Sequence, residues 1–168
     1  MVVYSDAQEL ATLASPSDLD SACVLPAVPI EFRRFLSLPT GSAGLEALRI
    51  PEHQRMSYFK VVCFNGSAAA QSTHQLLGHE LNLQQSDMQL ECQLASHGLY
   101  CGDSSGYKDP RRKELESGAG EWRLLFQMDS DDDLNVMWGD CGMLYFWIRK
   151  ADLRCRYFDK TWTILQCH

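Results

Sequence analysis

The fold that this sequence predicts is a single α+β domain, with a mixed or antiparallel sheet and a few short helices, and three observations predict it. Apolar residues alternate with polar ones at period two in the second half, which marks half-buried strands. Cap and turn residues delimit short helical stretches between those strands. A length of 168 residues with 45% apolar and 10% aromatic content supports one core. The last third, Trp122 to His168, carries the signal best: it holds all four tryptophans and reads as strand, acidic turn, strand, short helix and final strand.

The first 73 residues read as irregular, because Pro16, Pro26, Pro29, Pro39 and Pro51 recur at short intervals and each disfavours a helix interior or a central strand. Ser5 followed by Gln8 fits a capping box ahead of one short helix. Met56, Phe59, Val62 and Cys63 recur at helical spacing within Glu52 to Phe64, which predicts a second helix ended by Asn65-Gly66-Ser67, with a linker to Ser72. Met88, Leu90, Cys92 and Leu94 alternate with Gln89, Glu91 and Gln93, which predicts a strand with Cys92 in the core. Gly98 to Gly102 and on to Gly106 reads as loop. Asp109 as N-cap, Pro110 at the first helical position and Gly118 beyond the end delimit a helix of about two turns. Trp122, Leu124, Phe126 and Met128 alternate in a strand that runs into Asp129-Ser130-Asp131-Asp132-Asp133. Met143 to Ile148 is apolar at every position, the pattern of a central strand covered on both faces. Lys150 to Tyr157 predicts a short helix and Thr161 to Cys167 a last strand.

Composition removes several function classes. No apolar run approaches the roughly 20 residues of a membrane-spanning helix, and Met1 to Asp6 lacks the basic and apolar regions of a secretory signal, so a cytoplasmic protein is expected. Seven cysteines, an odd number without an export signal, read as reduced thiols that serve mostly as small core residues. A net charge of −7 repels a phosphate backbone, and the basic knot Arg111-Arg112-Lys113 lacks interleaved aromatics, so nucleic acid is not an expected partner.

Five ordered blocks resemble a known family: His74 to Gly78, Met88 to Leu94, Trp122 to Asp131, Trp138-Gly139-Asp140 and Leu144 to Ile148. Together they resemble the YwqG-like family, a bacterial domain of unknown function, densely from His74 onward and loosely before it. The resemblance implies an α+β fold and no established activity, cofactor or substrate. It also implies that family members carry an additional N-terminal segment, so this chain is expected to be a natural short variant, a sequence with a misassigned start or a truncated remnant, with a sheet edge or core face left open.

Candidate chemistry is sparse. Asp129, Asp131, Asp133 and Asp140, with Asn135, fall at positions 1, 3, 5, 12 and 7 of a calcium-loop count, whose hard oxygen ligands suit calcium. Leu134 stands where that loop needs glycine and the last position is Asp rather than Glu, so a solvated hairpin turn is the favoured reading and no metal or cofactor is expected. Trp138-Gly139-Asp140 is a candidate interaction loop, an indole beside a carboxylate on a flexible backbone, with simple turn chemistry as its alternative. Cys92, His97 and Cys101 lie close in sequence but lack a CxxC pair and a fourth zinc ligand. His74 and His79, at i and i+5, do not share a helix face, and Gly98 to Gly102 matches no nucleotide fingerprint. Tyr145, Phe146 and Trp147 read as core rather than as an aromatic binding box.

No catalytic set emerges, so the expected function is a non-catalytic interaction module whose acidic surface and loops from Asp129 to Gly142 meet a partner protein, a basic one on charge grounds. Toxin neutralisation is a narrower form suggested by the resemblance alone. The rival expectation is a small-molecule binder or a cysteine-dependent enzyme that uses Cys101 or Cys141 with a histidine.

Overall fold

The computed structural model describes residues 17–20, 24–39, 45, 47–66, 73–84 and 86–168. Four strands form one antiparallel sheet whose spatial order follows the chain: β1 (Gln75–Leu76), β2 (Trp122–Asp129), β3 (Met143–Arg149) and β4 (Trp162–Gln166). Among the described residues the helices include α1 (Glu52–Gly66), α2 (Met88–Ala95), α3 (Ser105–Lys108), α4 (Arg112–Leu115) and α5 (Lys150–Arg154), with 3₁₀ turns at Glu116–Glu121 and Phe158–Lys160. This is the expected α+β architecture, and its sheet is wholly antiparallel. No helix among the described residues is long and apolar enough to cross a membrane. The Ser5 helix and the linker to Ser72 lie outside the described residues.

The stretch Met88 to Leu94 is a helix rather than the expected strand. Its alternation is the sum of two i, i+4 pairs on opposite sides of one helix. Met88 and Cys92 face the sheet and pack with Trp122, Leu124, Met143, Tyr145, Trp147 and Ile164. Leu90 and Leu94 face outward into a second cluster with Leu99, Cys101, Tyr107, Leu115 and Ala119. The Asp87 carboxylate caps the helix by accepting from the Leu90 N–H at 3.0 Å, and Met, Gln, Leu, Glu and Ala all favour helix. Cys92 is fully buried, as expected, but in a helix.

The segment after Asp109 differs in a smaller way. Asp109 itself is extended (ψ 134°), the conformation that Pro110 imposes on its predecessor, and its carboxylate accepts from the Arg111 N–H at 2.8 Å. A single helix is replaced by α4 and the 3₁₀ turn through Glu121, because Gly118 and Gly120 loosen the last turns. α1, β2, β3, α5 and β4 stand close to their expected places, with α5 ending at Arg154 rather than Tyr157.

Between Leu124 and Phe126 the register of β2 slips by one residue at Leu125. Such a bulge reverses the faces, so Trp122 and Leu124 before it and Gln127 after it all point toward α2. β3 occupies the expected central position, but its two faces differ. Tyr145 and Trp147 are buried toward α2, whereas on the back Ile148 is fully buried but Leu144 and Phe146 are half-buried, with Phe146 stacked on Phe126 at 5.8 Å. Full cover on both faces is therefore not seen among the described residues.

Buried amides hold the connector between β1 and α2. Gln127 and Gln166, each 1% exposed, lie on the α2 side of the sheet beside Tyr145 and Met143. Gln127 Oε1 accepts from the Leu81 N–H at 3.0 Å while its Nε2 donates to the Thr73 carbonyl at 2.9 Å. Gln166 Oε1 accepts from the N–H groups of Leu83 and Gln84, and its Nε2 donates to Ser86 Oγ. The Tyr145 hydroxyl donates to the Leu81 carbonyl. A connector without a strand partner thus has its backbone groups satisfied from the sheet below it. Replacing Gln127 by Leu leaves two backbone groups without their partner and is expected to lower unfolding stability by about 2–4 kcal/mol in urea titrations. A change below about 0.5 kcal/mol would show that those bonds carry no weight.

Candidate functional site

The acidic turn uses its first two carboxylates internally. Asp129 Oδ2 accepts from both the N–H and the hydroxyl of Thr73, each at 2.8 Å. Asp131 Oδ2 lies 2.9 Å from His74 Nε2, and its Oδ1 accepts from the Leu134 N–H. His74 Nδ1 accepts from the Asp129 N–H at 3.1 Å, so the proton of the neutral ring sits on Nε2 and donates to Asp131. The pairing anchors the two-residue β1 to the end of β2. Asp133 and Asp140 are exposed, and among the described residues no group of three or more His, Cys, Asp or Glu side chains converges as a metal site would require. The calcium-loop spacing is therefore present in the sequence without a matching convergence of oxygens.

Trp138, Gly139 and Asp140 form the return of the same hairpin. The Trp138 indole donates to the Asp129 carbonyl, its N–H donates to Ser130 Oγ, and its carbonyl accepts from the Gly142 N–H. Gly139 is left-handed (φ 63°), and a side chain there would press on Cys167. The Asp140 carbonyl accepts from the His168 N–H. The loop is a well-tied turn, and what it presents outward is Asp132, Asp133, Met137, Asp140 and Cys141.

Cys92, His97 and Cys101 do not converge. Cys92 is sealed in the sheet-facing core, while the exposed His97 turns Nδ1 to the Gln93 carbonyl at 2.7 Å. Cys101 is half-buried, with Sγ 3.5 Å from the Leu99 carbonyl. Burial first, then the Glu91 carboxylate, pushes the Cys101 thiol up, away from the thiolate that a nucleophile needs. His79, by contrast, is pushed down by burial and then by Arg123.

A groove of about 440 Å³ that the strand reading of Met88 to Leu94 could not reveal runs between α2, the loop Gly98 to Gly102 and β4. Along it lie Glu91, Leu99, Tyr100, Cys101, Trp162 and Ile164. β4 is the sheet's last strand, with no strand on its outer side among the described residues. Trp162 and Tyr100 leave 38% and 68% of their surface exposed. The Glu91 carboxylate has no hydrogen bond or ion pair among the described residues, and burial pushes its pKa up with no cation to pull it back. Two sequence signals pointed here: helix-forming residues capped by Asp87, and a final strand free of charge and proline.

The raised Glu91 carboxyl has a defined consequence for stability. The folded state holds this proton to higher pH than the unfolded chain does, so stability falls as pH rises from the usual carboxylate range toward the raised value. Glu91→Gln is therefore expected to melt about 1–3 °C above the parent at pH 7, with the gap closing below about pH 3.5, where Glu91 is protonated in both states. A constant gap across that range would contradict an uncompensated carboxylate.

A search of the curated proteins returned no match. Residues 1–167 match the family model described as "Domain of unknown function (DUF1963)". With nearly its whole length covered by that match, the chain belongs to the DUF1963 family, a domain of unknown function.

Proposed function

We propose that this chain is a YwqG-like, non-catalytic, cytoplasmic interaction module that takes an extended segment of a partner protein along the outer edge of β4. One observation carries the reading: β4 ends the sheet beside an apolar groove, and Trp162 to Gln166 contains no lysine, proline or bulge to blunt that edge. An added strand would gain main-chain hydrogen bonds from the edge and side-chain contacts from the groove, the mode of β-augmentation. The net charge of −7 and the outward Asp132, Asp133 and Asp140 favour a basic partner through long-range attraction, which accelerates encounter more than it tightens the complex. A toxin-like basic protein is one narrower form of such a partner.

The cysteine-dependent alternative lacks support at Cys101, whose thiol is shifted away from ionisation, and His97 is committed to the Gln93 carbonyl. Titrating the isotopically labelled chain with short, extended basic peptides tests the proposal. The expected result is that amides of Trp162 to Gln166 shift and gain exchange protection, and that backbone N-methylation of the peptide abolishes both. Shifts confined to Met137 to Gly142 would move the interface to the hairpin, and no response at low salt would count against an interaction edge.

A further inference from the structure

Resting on the β4 reading above, a more specific inference concerns what the bound segment must carry. We propose that the groove seats the ammonium or guanidinium of a lysine or arginine on that segment, with Glu91 as its counter-ion and the Trp162 and Tyr100 rings as its walls. Glu91 is the one acid among the described groove residues, and it lines the groove with Leu99, Ile164 and the two aromatics, with no cation paired to it among the described residues. A carboxylate held in partly apolar surroundings without compensation is costly, and a cation brought by a ligand offsets that cost. Indole and phenol faces attract the same cation through their ring charge distribution. Lys160, two residues before Trp162, is not available for this: its ammonium is 3.0 Å from Asp152 Oδ1 and lies over the Tyr157 ring at 4.9 Å.

Other ligands fit the groove less well. A neutral apolar side chain would bury Glu91 further and leave its charge unanswered. An anion would meet Glu91 directly. A divalent metal asks for several oxygen ligands, and Glu91 supplies one carboxylate here. A long cationic side chain satisfies both parts of the lining, since its methylenes lie on apolar surface while its head reaches the carboxylate.

Three peptides of one extended sequence, differing only in a central lysine, norleucine or glutamate, test the inference against the parent chain and Glu91→Gln by calorimetry, with amide shifts reporting the binding place. The expected result is that the lysine peptide binds the parent about tenfold more tightly than the norleucine peptide, that the glutamate peptide is weakest, and that Glu91→Gln removes the lysine preference while norleucine binding persists. Equal binding of lysine and norleucine peptides at β4 would overturn the cation seat and leave edge pairing standing. Lysine preference that survives Glu91→Gln would also overturn it, placing the counter-charge elsewhere. Absence of binding by all three would overturn the seat and the edge together.

Discussion

Hydrogen bonding from the sheet's buried amides to the connector before α2 is the constraint on which the remaining structure depends. A stretch such as Glu80 to Gln84, crossing a sheet face without joining the ladder, brings backbone N–H and C=O groups that cannot be left bare. Gln127, Gln166 and Tyr145 supply the missing partners from positions that would otherwise hold apolar side chains. Amide side chains suit this role because each offers a donor and an acceptor at one end. The bulge at Leu125 is what turns Gln127 onto the correct face, so a local irregularity in β2 determines where the connector can be held.

The position of α2 follows from that arrangement, and the groove follows from α2. With Leu83 and Gln84 fixed to Gln166, the chain reaches Asp87 in place to cap a helix lying over Trp122 and Tyr145. Gln93 then accepts from the Trp122 indole at 3.0 Å, which ties the helix to the start of β2. Two residues earlier on the same helix, Glu91 lines the groove toward β4 and the loop after Gly98, among apolar and aromatic neighbours. Thus the groove that holds Glu91 beside β4, the last strand of the sheet among the described residues, follows from the placement of α2. The acidic hairpin on the far side contributes charge and a rigid turn, but its first two aspartates are committed to Thr73 and His74.

Much of the second half was legible in the sequence. Trp122 to Asp129, Met143 to Arg149 and Trp162 to Gln166 are strands where the sequence places them, although the period-two reading of the first holds only as far as Leu124, because the bulge at Leu125 turns Phe126 and Met128 to the face opposite Trp122 and Leu124. Met88 to Ala95 was not legible from alternation, since two opposite i, i+4 pairs in an eight-residue helix imitate period two; the Asp87 cap was the competing clue. That single reversal hid the candidate site, because it placed Glu91 on a strand's solvent face instead of beside Trp162. The aspartate spacing of the hairpin was legible as a pattern but not as a site, since the partners of Asp129 and Asp131 come from residues more than fifty positions earlier. Buried glutamines were equally invisible: sequence alone assigns such residues to the surface.

Native-state amide hydrogen exchange at Leu81, Leu83 and Gln84 is the most direct measurement of this account. If the buried glutamines fix the connector, these three amides exchange as slowly as those of β2 and β3 and open with them in one cooperative event. Exchange at open-loop rates, while β2 and β3 remain protected, would contradict it and would detach the position of α2, and with it the groove, from the sheet's buried amides.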